Sequence, residues 1–183
     1  TLTFTGAQIS SGFDSTTTMN GSAGSDDLII NNAGNVNLSG WTMNSVDSVT
    51  ITGTGGNDTI TGSTVGETIT GGAGNDTIDG KGGTDTVVIN GSAASGIASQ
   101  AAGVLTITRE GTDTLENVEF IRFTSGTTPD GDDLVAVVAG DAVLEAKNDT
   151  ANTTEIGTVT GNVLTNDLDL DDVMTVTTAG TFT

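Results

Sequence analysis

The stretch from Gly53 to Val88 consists of four consecutive blocks of nine residues, which read GTGGNDTIT, GSTVGETIT, GGAGNDTID and GKGGTDTVV. Each block opens with a glycine-containing turn, carries an acidic residue at its sixth position and places a branched aliphatic residue at its eighth. A fixed period of this kind is typical of repeat architectures, in which each unit packs on its neighbours. The period therefore constrains the fold more than any other feature of the chain.

The blocks predict strands joined by tight turns. The first six residues of each block favour turns, and the last three, such as the segment TID of the third block, favour extended backbone. We therefore predict an all-β fold containing a parallel β-roll, a solenoid in which two blocks make one coil. In such a coil Ile60 stacks on Ile78 in one sheet, and Ile69 stacks on Val87 in the other.

The same coil brings together the acidic positions of alternate blocks, because stacked strands lie about 4.8 Å apart. Asp58 then lies beside Asp76, and Glu67 lies beside Asp85. Like charges at that distance repel each other, whereas calcium accepts about six to eight oxygen ligands from a mixture of carboxylates and backbone carbonyls. Glycine suits turns that aim carbonyls inward, since it adopts positive φ at little cost. We therefore predict Ca²⁺ as the ligand, held chiefly by the Asp58 and Asp76 turns.

The repeats match the pattern unequally. The block GGAGNDTID fits at every position, whereas GSTVGETIT carries Val65 and Glu67 where the pattern has Gly and Asp. Upstream, the block GSAGSDDLI places Asp26 at the acidic position, and the block NNAGNVNLS places Val36 there, so we interpret the latter as structural only. A flexible linker rich in Gly and Asx, with solvated acids, is the alternative interpretation. The candidate metal ligands are Asp58, Asp76, Asp85, Glu67 and Asp26, with backbone carbonyls of the two best turns drawn from Gly53, Gly55, Asn57, Gly71, Ala73 and Asn75.

The nonapeptides resemble those of the RTX, or repeats-in-toxin, family of secreted bacterial proteins. The segment GTDTLENVEFIRF, from Gly111 to Phe123, is similar to the strand-rich module that often follows RTX rolls. Residues 146–178 resemble the opening of a bacterial cadherin-like or VCBS-type β-sandwich repeat. The resemblance implies a protein exported by type I secretion to the cell surface of a Gram-negative bacterium. Because the chain begins without Met and stops within the sandwich-like part, we expect it to be a piece of a longer protein.

These features divide the chain into four segments. We predict an irregular β or solenoid-like segment with a partial repeat over 1–52, the roll over 53–88, a strand-rich flanking or capping module over 89–128, and a linker with a partial cadherin-like sandwich over 129–183. The segment Ser92–Ala102 is either one helical turn or a loop. The strand candidates outside the roll are Leu2–Thr5, Ser48–Thr52, Val104–Thr108, Val118–Phe123, Leu134–Ala139 and Thr158–Leu164.

Composition bears on partners and on catalysis. The 24 acidic residues and four basic residues give a net charge of −20, which disfavours nucleic acid and anionic membranes and favours divalent cations. The absence of histidine and cysteine removes the commonest general base and nucleophile arrangements, so we do not expect an enzyme. No apolar run approaches about eighteen residues, so we expect no membrane insertion. We expect the lone Trp41 to be a packed residue rather than a sugar platform.

Three classes of function remain. The first is a non-catalytic, calcium-dependent structural or adhesive module of a large secreted surface protein, as in an adhesin, a fibre or a surface layer. Its candidate partners are calcium ions, copies of itself and cell-surface glycans. The alternative is the secretion and folding segment of an extracellular hydrolase. A carbohydrate- or ice-binding solenoid is the third class, and it would use the threonine ladder of Thr59, Thr68, Thr77 and Thr86.

Overall fold

The computed structural model describes residues 1–13, 16–91, 98–101, 104–124, 134–138 and 141–142. In these residues the chain is mostly β-strand with a single short helix, which confirms the predicted all-β character. In chain order the elements are β1 (Leu2–Thr5), α1 (Gly6–Gly12), β2 (Thr18–Asn20), β3 (Asp27–Asn31), β4 (Asn35–Asn37), β5 (Thr42–Asn44), β6 (Ser48–Thr52), β7 (Thr59–Thr61), β8 (Glu67–Thr70), β9 (Thr77–Asp79), β10 (Thr86–Ile89), β11 (Ala98–Ala101), β12 (Val104–Ile107), β13 (Asp113–Glu116), β14 (Phe120–Phe123), β15 (Leu134–Val138) and β16 (Asp141–Ala142).

The strands form two larger sheets and one small pair. The eight-stranded sheet has the order β1-β3-β6-β8-β10-β14-β15-β16, the six-stranded sheet has the order β11-β12-β13-β9-β7-β4, and β2 pairs with β5. Between β6 and β10 the chain alternates between the two larger sheets, so that β6, β8 and β10 belong to one and β7 and β9 to the other. Both sheets are open, since each has two end strands.

The pairing within the repeats is parallel and follows the nine-residue period. Ile60 lies opposite Ile78 in the six-stranded sheet, and Ile69 lies opposite Val87 in the eight-stranded sheet, as the sequence predicts. All four side chains are buried. The aliphatic residue at the eighth position of each block therefore lies in the core, and the strand of each block is anchored by it.

The stacking continues past the nonapeptides. Strand β13 pairs in parallel with β9, which places Leu115 opposite Ile78, and β14 pairs in parallel with β10, which places Ile121 opposite Val87. The antiparallel strands β11 and β12 then extend the six-stranded sheet beyond β13. The module predicted over 89–128 thus supplies both further parallel strands and an antiparallel addition at one edge.

Residues 1–52 also join the two sheets. Strands β1, β3 and β6 pair in parallel in the eight-stranded sheet, and β4 pairs with β7 in the other, where the buried Val36 lies opposite Ile60. The block NNAGNVNLS, interpreted from the sequence as structural only, supplies a strand. Trp41 is buried and its ring lies 5.2 Å from that of Phe13, in agreement with its predicted packing role.

Two elements differ from the sequence prediction. Helix α1 was not predicted, although its signal is present: Thr5 and Gln8 form a capping box, in which the Thr5 side chain accepts from the Gln8 backbone N–H and the Gln8 side chain accepts from the Thr5 N–H. In the segment Ser92–Ala102, residues Ala98–Ala101 form a strand rather than a helical turn or loop, because they pair with β12. The predicted strand Thr158–Leu164 and the sandwich-like segment 146–178 lie outside the described residues.

Candidate metal centre

The acidic residues at the sixth position of the four nonapeptides are buried. The exposed fraction is 3% for Asp58, 2% for Glu67, 1% for Asp76 and 0% for Asp85. Each one ends a turn or begins the strand that follows it, two positions before a core aliphatic residue. A buried carboxylate is costly unless a hydrogen bond, a proton or a cation compensates its charge. The turns therefore concentrate negative charge where water does not solvate it.

The structure brings these acids together in the predicted pairs. The backbone N–H of Asp58 donates to Oδ1 of Asp76 at 2.9 Å, and the backbone N–H of Glu67 donates to Oδ1 of Asp85 at 2.8 Å. In each pair, one carboxylate oxygen of the acid in the later coil is thus fixed by a backbone N–H of the earlier coil. This hydrogen bond orients the carboxylate and leaves its second oxygen for another partner.

The ladders extend to acids that the sequence analysis did not select. The backbone N–H of Asp76 donates to Oδ1 of Asp113 at 2.9 Å, and that of Asp85 donates to Oε2 of Glu119 at 2.8 Å. Asp113 could have been found, because Gly111, Asp113 and Leu115 repeat the spacing of the fourth, sixth and eighth positions of a nonapeptide. Glu119 follows a shortened turn and keeps only the spacing of the sixth and eighth positions, with Ile121, because Asn117 stands where the fourth-position glycine belongs.

The predicted ligand Asp26 lies in a related arrangement. Its backbone N–H donates to Oδ2 of Asp47 at 2.7 Å, and its own Oδ2 accepts from the backbone N–H of Ser22. Asp47 belongs to no nonapeptide, so only the pairing of β3 with β6 places it there. Asp26 is less buried than the sixth-position acids of the repeats. Its hydrogen-bond partners in this arrangement are Asp47 and Ser22.

Three buried carboxylate oxygens have no hydrogen-bond partner among the described residues: Oε2 of Glu67, Oδ2 of Asp76 and Oδ2 of Asp85. Asp58 differs, because both of its oxygens accept hydrogen bonds from Thr54. Buried polar atoms are almost always paired in folded proteins. These three oxygens therefore indicate a missing partner that carries a positive charge or a proton.

The first glycine of each block lies against a carboxylate oxygen of the acid in its own block. A Cβ atom added at Gly53 would lie 2.0 Å from the carbonyl oxygen of Gly71 and 2.5 Å from Oδ2 of Asp58. At Gly62 the added atom would lie 2.4 Å from the carbonyl oxygen of Gly80 and 2.6 Å from Oε2 of Glu67. The position of an added Cβ at each of these two glycines is thus close to a carbonyl oxygen from the next coil and to a carboxylate oxygen from the same block. Calcium binds such mixtures of carboxylate and carbonyl oxygens.

The six residues whose backbone carbonyls are predicted metal ligands divide into two groups. Gly53 and Gly71 are buried beside the carboxylates, whereas the remaining four are exposed on the outer side of the turns. Two of those hold the turns together through their side chains: Oδ1 of Asn57 accepts from the backbone N–H of Asn75, and Oδ1 of Asn75 accepts from that of Thr112, both at 2.9 Å. The four exposed residues of this set are Gly55, Asn57, Ala73 and Asn75.

Side chains alone do not assemble a metal site in the described part of the chain. There, no group of three or more His, Cys, Asp and Glu side chains is placed to hold a metal ion. At the turns, the described side chains supply carboxylates, and the backbone carbonyls of Gly71 and Gly80 lie beside them. A cation bound here would therefore depend on the turn conformation as much as on the acids.

Burial shifts the proton affinity of the same acids. Burial raises the pKa of Glu67 to about 8, against the opposing hydrogen bond from the Ser63 hydroxyl, and it raises the pKa of Asp85 to about 6. It also raises the pKa of Asp113 to about 6 and raises that of Asp76. Without a cation, part of this charge is therefore neutralised by protons near neutral pH.

The chain matches no protein-family model, no curated protein and no solved structure in the comparisons made with it. No helix in the described ranges is both long and apolar enough to cross a membrane.

We expect Gly71→Ala to destabilise the protein by about 1–3 kcal/mol, because the added Cβ would lie 2.2 Å from Oδ2 of Asp76. Gly55→Ala is the matched control, since an added Cβ meets nothing within 4 Å there. Urea denaturation at fixed calcium concentration measures both. Equal stability of the two variants would show that the buried glycine does not constrain the carboxylate.

We expect the calcium-free protein to lose stability as the pH rises from about 5 to about 8.5. The folded state raises the pKa of Glu67 and Asp85, so it binds more protons than the unfolded chain, and this stabilisation is complete below about pH 4 and is lost as the pH passes the raised values. Urea denaturation in chelator at a series of pH values measures the loss. Glu67→Gln should flatten the profile, whereas the exposed Glu116→Gln should not; a flat wild-type profile contradicts the burial of these charges.

Proposed function

We propose that residues 53–88 and the strands stacked on them form a calcium-binding parallel β-roll of the RTX kind. Two nonapeptides complete one coil in this proposal, because consecutive strands alternate between the two sheets and strands two blocks apart pair in parallel. The inward aliphatic ladders of Ile60 with Ile78 and of Ile69 with Val87 support it, and so does the resemblance of the repeats.

Calcium is the proposed ligand, and the observation that carries this proposal is the set of buried, unpartnered carboxylate oxygens beside backbone carbonyls. The Asp58 and Asp76 turns would contribute their carboxylates with the carbonyl of Gly71, and the Glu67 and Asp85 turns would contribute theirs with that of Gly80. A divalent cation would neutralise both acids of a pair and link adjacent coils. Asp26 with Asp47 is the corresponding candidate near the N-terminus of the stack.

The magnitude of the effect suits a switch set by location. Extracellular calcium modules bind at about 10⁻⁴ to 10⁻³ M. At about 1 mM calcium, each such site adds about 0.4–1.4 kcal/mol of stability by mass action, whereas micromolar calcium adds almost none. Several sites in one stack add several increments, and neighbouring repeats couple them. The chain would remain loosely folded inside a cell and become rigid outside it.

The biological role that fits these properties is a non-catalytic structural or adhesive module of a large secreted protein on a Gram-negative cell surface. The net charge of −20 and the absence of histidine and cysteine from the sequence support this role. Calcium would be the cofactor, and copies of the same protein or cell-surface glycans would be the partners. The competing role is the folding and secretion segment of an extracellular hydrolase, which shares the calcium chemistry but lacks an adhesive partner.

We expect Asp76→Asn to lose about 0.4–1.4 kcal/mol of the calcium-induced stabilisation, since it removes one charge from the paired site. Asp79→Asn is the matched control: Asp79 lies in the same block, but its carboxylate pairs with the Lys81 ammonium at 2.7 Å. Thermal denaturation with and without calcium measures both variants. Full retention of the calcium effect in Asp76→Asn would refute the assignment of this residue.

We expect calcium to cause assembly of the protein if it acts as a surface or fibre module. Strand β1 ends the eight-stranded sheet and pairs only with β3, and its Leu2 is 54% exposed, so it offers a sheet edge to a neighbour. Light scattering during calcium titration distinguishes the roles, because a secretion segment would compact without growing in mass. A compact monomer at millimolar calcium would favour the hydrolase segment.

A further inference from the structure

The turn between β13 and β14 takes the place of a nonapeptide turn although its sequence is unrelated. A Cβ atom added at Gly80 would lie 2.3 Å from the carbonyl oxygen of Asn117 and 2.4 Å from Oδ2 of Asp85. The same pair of neighbours, a carbonyl from the next coil and the carboxylate of its own block, surrounds Gly62. The Asn117 carbonyl therefore occupies the position that a glycine carbonyl occupies inside the repeats.

Asp85 directs one unpartnered oxygen toward this turn. The residue is fully buried; its Oδ1 accepts from the backbone N–H of Glu67, and its Oδ2 has no hydrogen-bond partner in the described part of the chain. The first oxygen, Oδ1, is thus hydrogen-bonded to the preceding coil. The second lies beside Gly80 with the Asn117 carbonyl, on the side of the following coil.

Two further contacts fix the oxygen groups around this point. Glu119 is half-buried, and its Oε2 accepts from the backbone N–H of Asp85 at 2.8 Å. The Asn117 side chain donates to Oδ1 of Asp79 at 2.7 Å, which holds the turn while its backbone adopts a φ of 50°. The nearby Lys81 ammonium is bound to Asp79 at 2.7 Å. No described ion pair neutralises the carboxylates of Asp85 and Glu119.

We propose that Asp85, Glu119 and the backbone carbonyl of Asn117 form a calcium site at the junction between the last nonapeptide and the segment from Gly111 to Phe123. The proposal rests on the calcium chemistry proposed above and extends it to residues outside the repeats. The ion joins β14 to β10, so that the flanking strands dock firmly on the roll only when calcium is present. The site thus makes the end of the stack respond to the same ion as its interior.

The test compares Glu119→Gln with Glu116→Gln, which removes the same charge from an exposed position three residues away. Calcium stoichiometry is measured by isothermal titration on the full 183-residue chain at pH 7.5. We expect Glu119→Gln to bind one ion fewer per chain at 1 mM free calcium, at about tenfold or more weaker affinity for that ion, while Glu116→Gln matches the wild type.

A second measurement keeps the test independent of whether the variant folds. In the wild-type protein, the backbone ¹³C resonance of the Asn117 carbonyl should shift on calcium addition and saturate with the binding curve. Equal stoichiometry in Glu119→Gln and wild type, or an unchanged Asn117 resonance while calcium binds elsewhere, overturns this site alone. If the wild-type protein binds no calcium, the proposed function and this site both fail.

Discussion

The structure depends on the burial of like-charged carboxylates in register between adjacent coils. Parallel pairing of the strands forces the acids of alternate blocks to adjoin, and the same pairing buries the aliphatic residues two positions further on. The aliphatic ladders cannot form without bringing the carboxylates together. The hydrophobic core and the electrostatic cost are therefore two consequences of one register.

The backbone relieves only part of this cost. In each pair, one carboxylate oxygen accepts a backbone N–H from the preceding coil, but the second oxygen of that carboxylate, together with Oε2 of Glu67, is left without a partner in the described residues. The first glycine of a block lies where any side chain would strike those oxygens and the carbonyl beside them. Glycine at that position and acid at the sixth position therefore depend on each other. A proton or the proposed calcium ion would complete the arrangement, and the two would compete for the same atoms because calcium binds the deprotonated carboxylate.

This competition links the fold to its surroundings. At low calcium and moderate pH, protons held at raised pKa values by burial neutralise the stack in part. At millimolar calcium and slightly alkaline pH, the proposed calcium ions would replace these protons and would also connect neighbouring coils, which a proton cannot do. The rigidity of the stack would then depend on the calcium concentration of the medium, as the proposed role of a secreted module requires.

The amino-acid sequence by itself determined the period, the inward aliphatic ladder and the pairing of Asp58 with Asp76 and of Glu67 with Asp85, because these follow from local turn and strand preferences repeated at fixed spacing. Only the tertiary structure showed that Asp47 and Glu119 continue the ladders, because strand pairing across the fold brings them there, whereas the spacing of Gly111, Asp113 and Leu115 already marks Asp113 in the sequence. The Asn117 carbonyl is the clearest case. Its position depends on backbone conformation and on a neighbouring coil, and the identity of the residue in the sequence indicates neither.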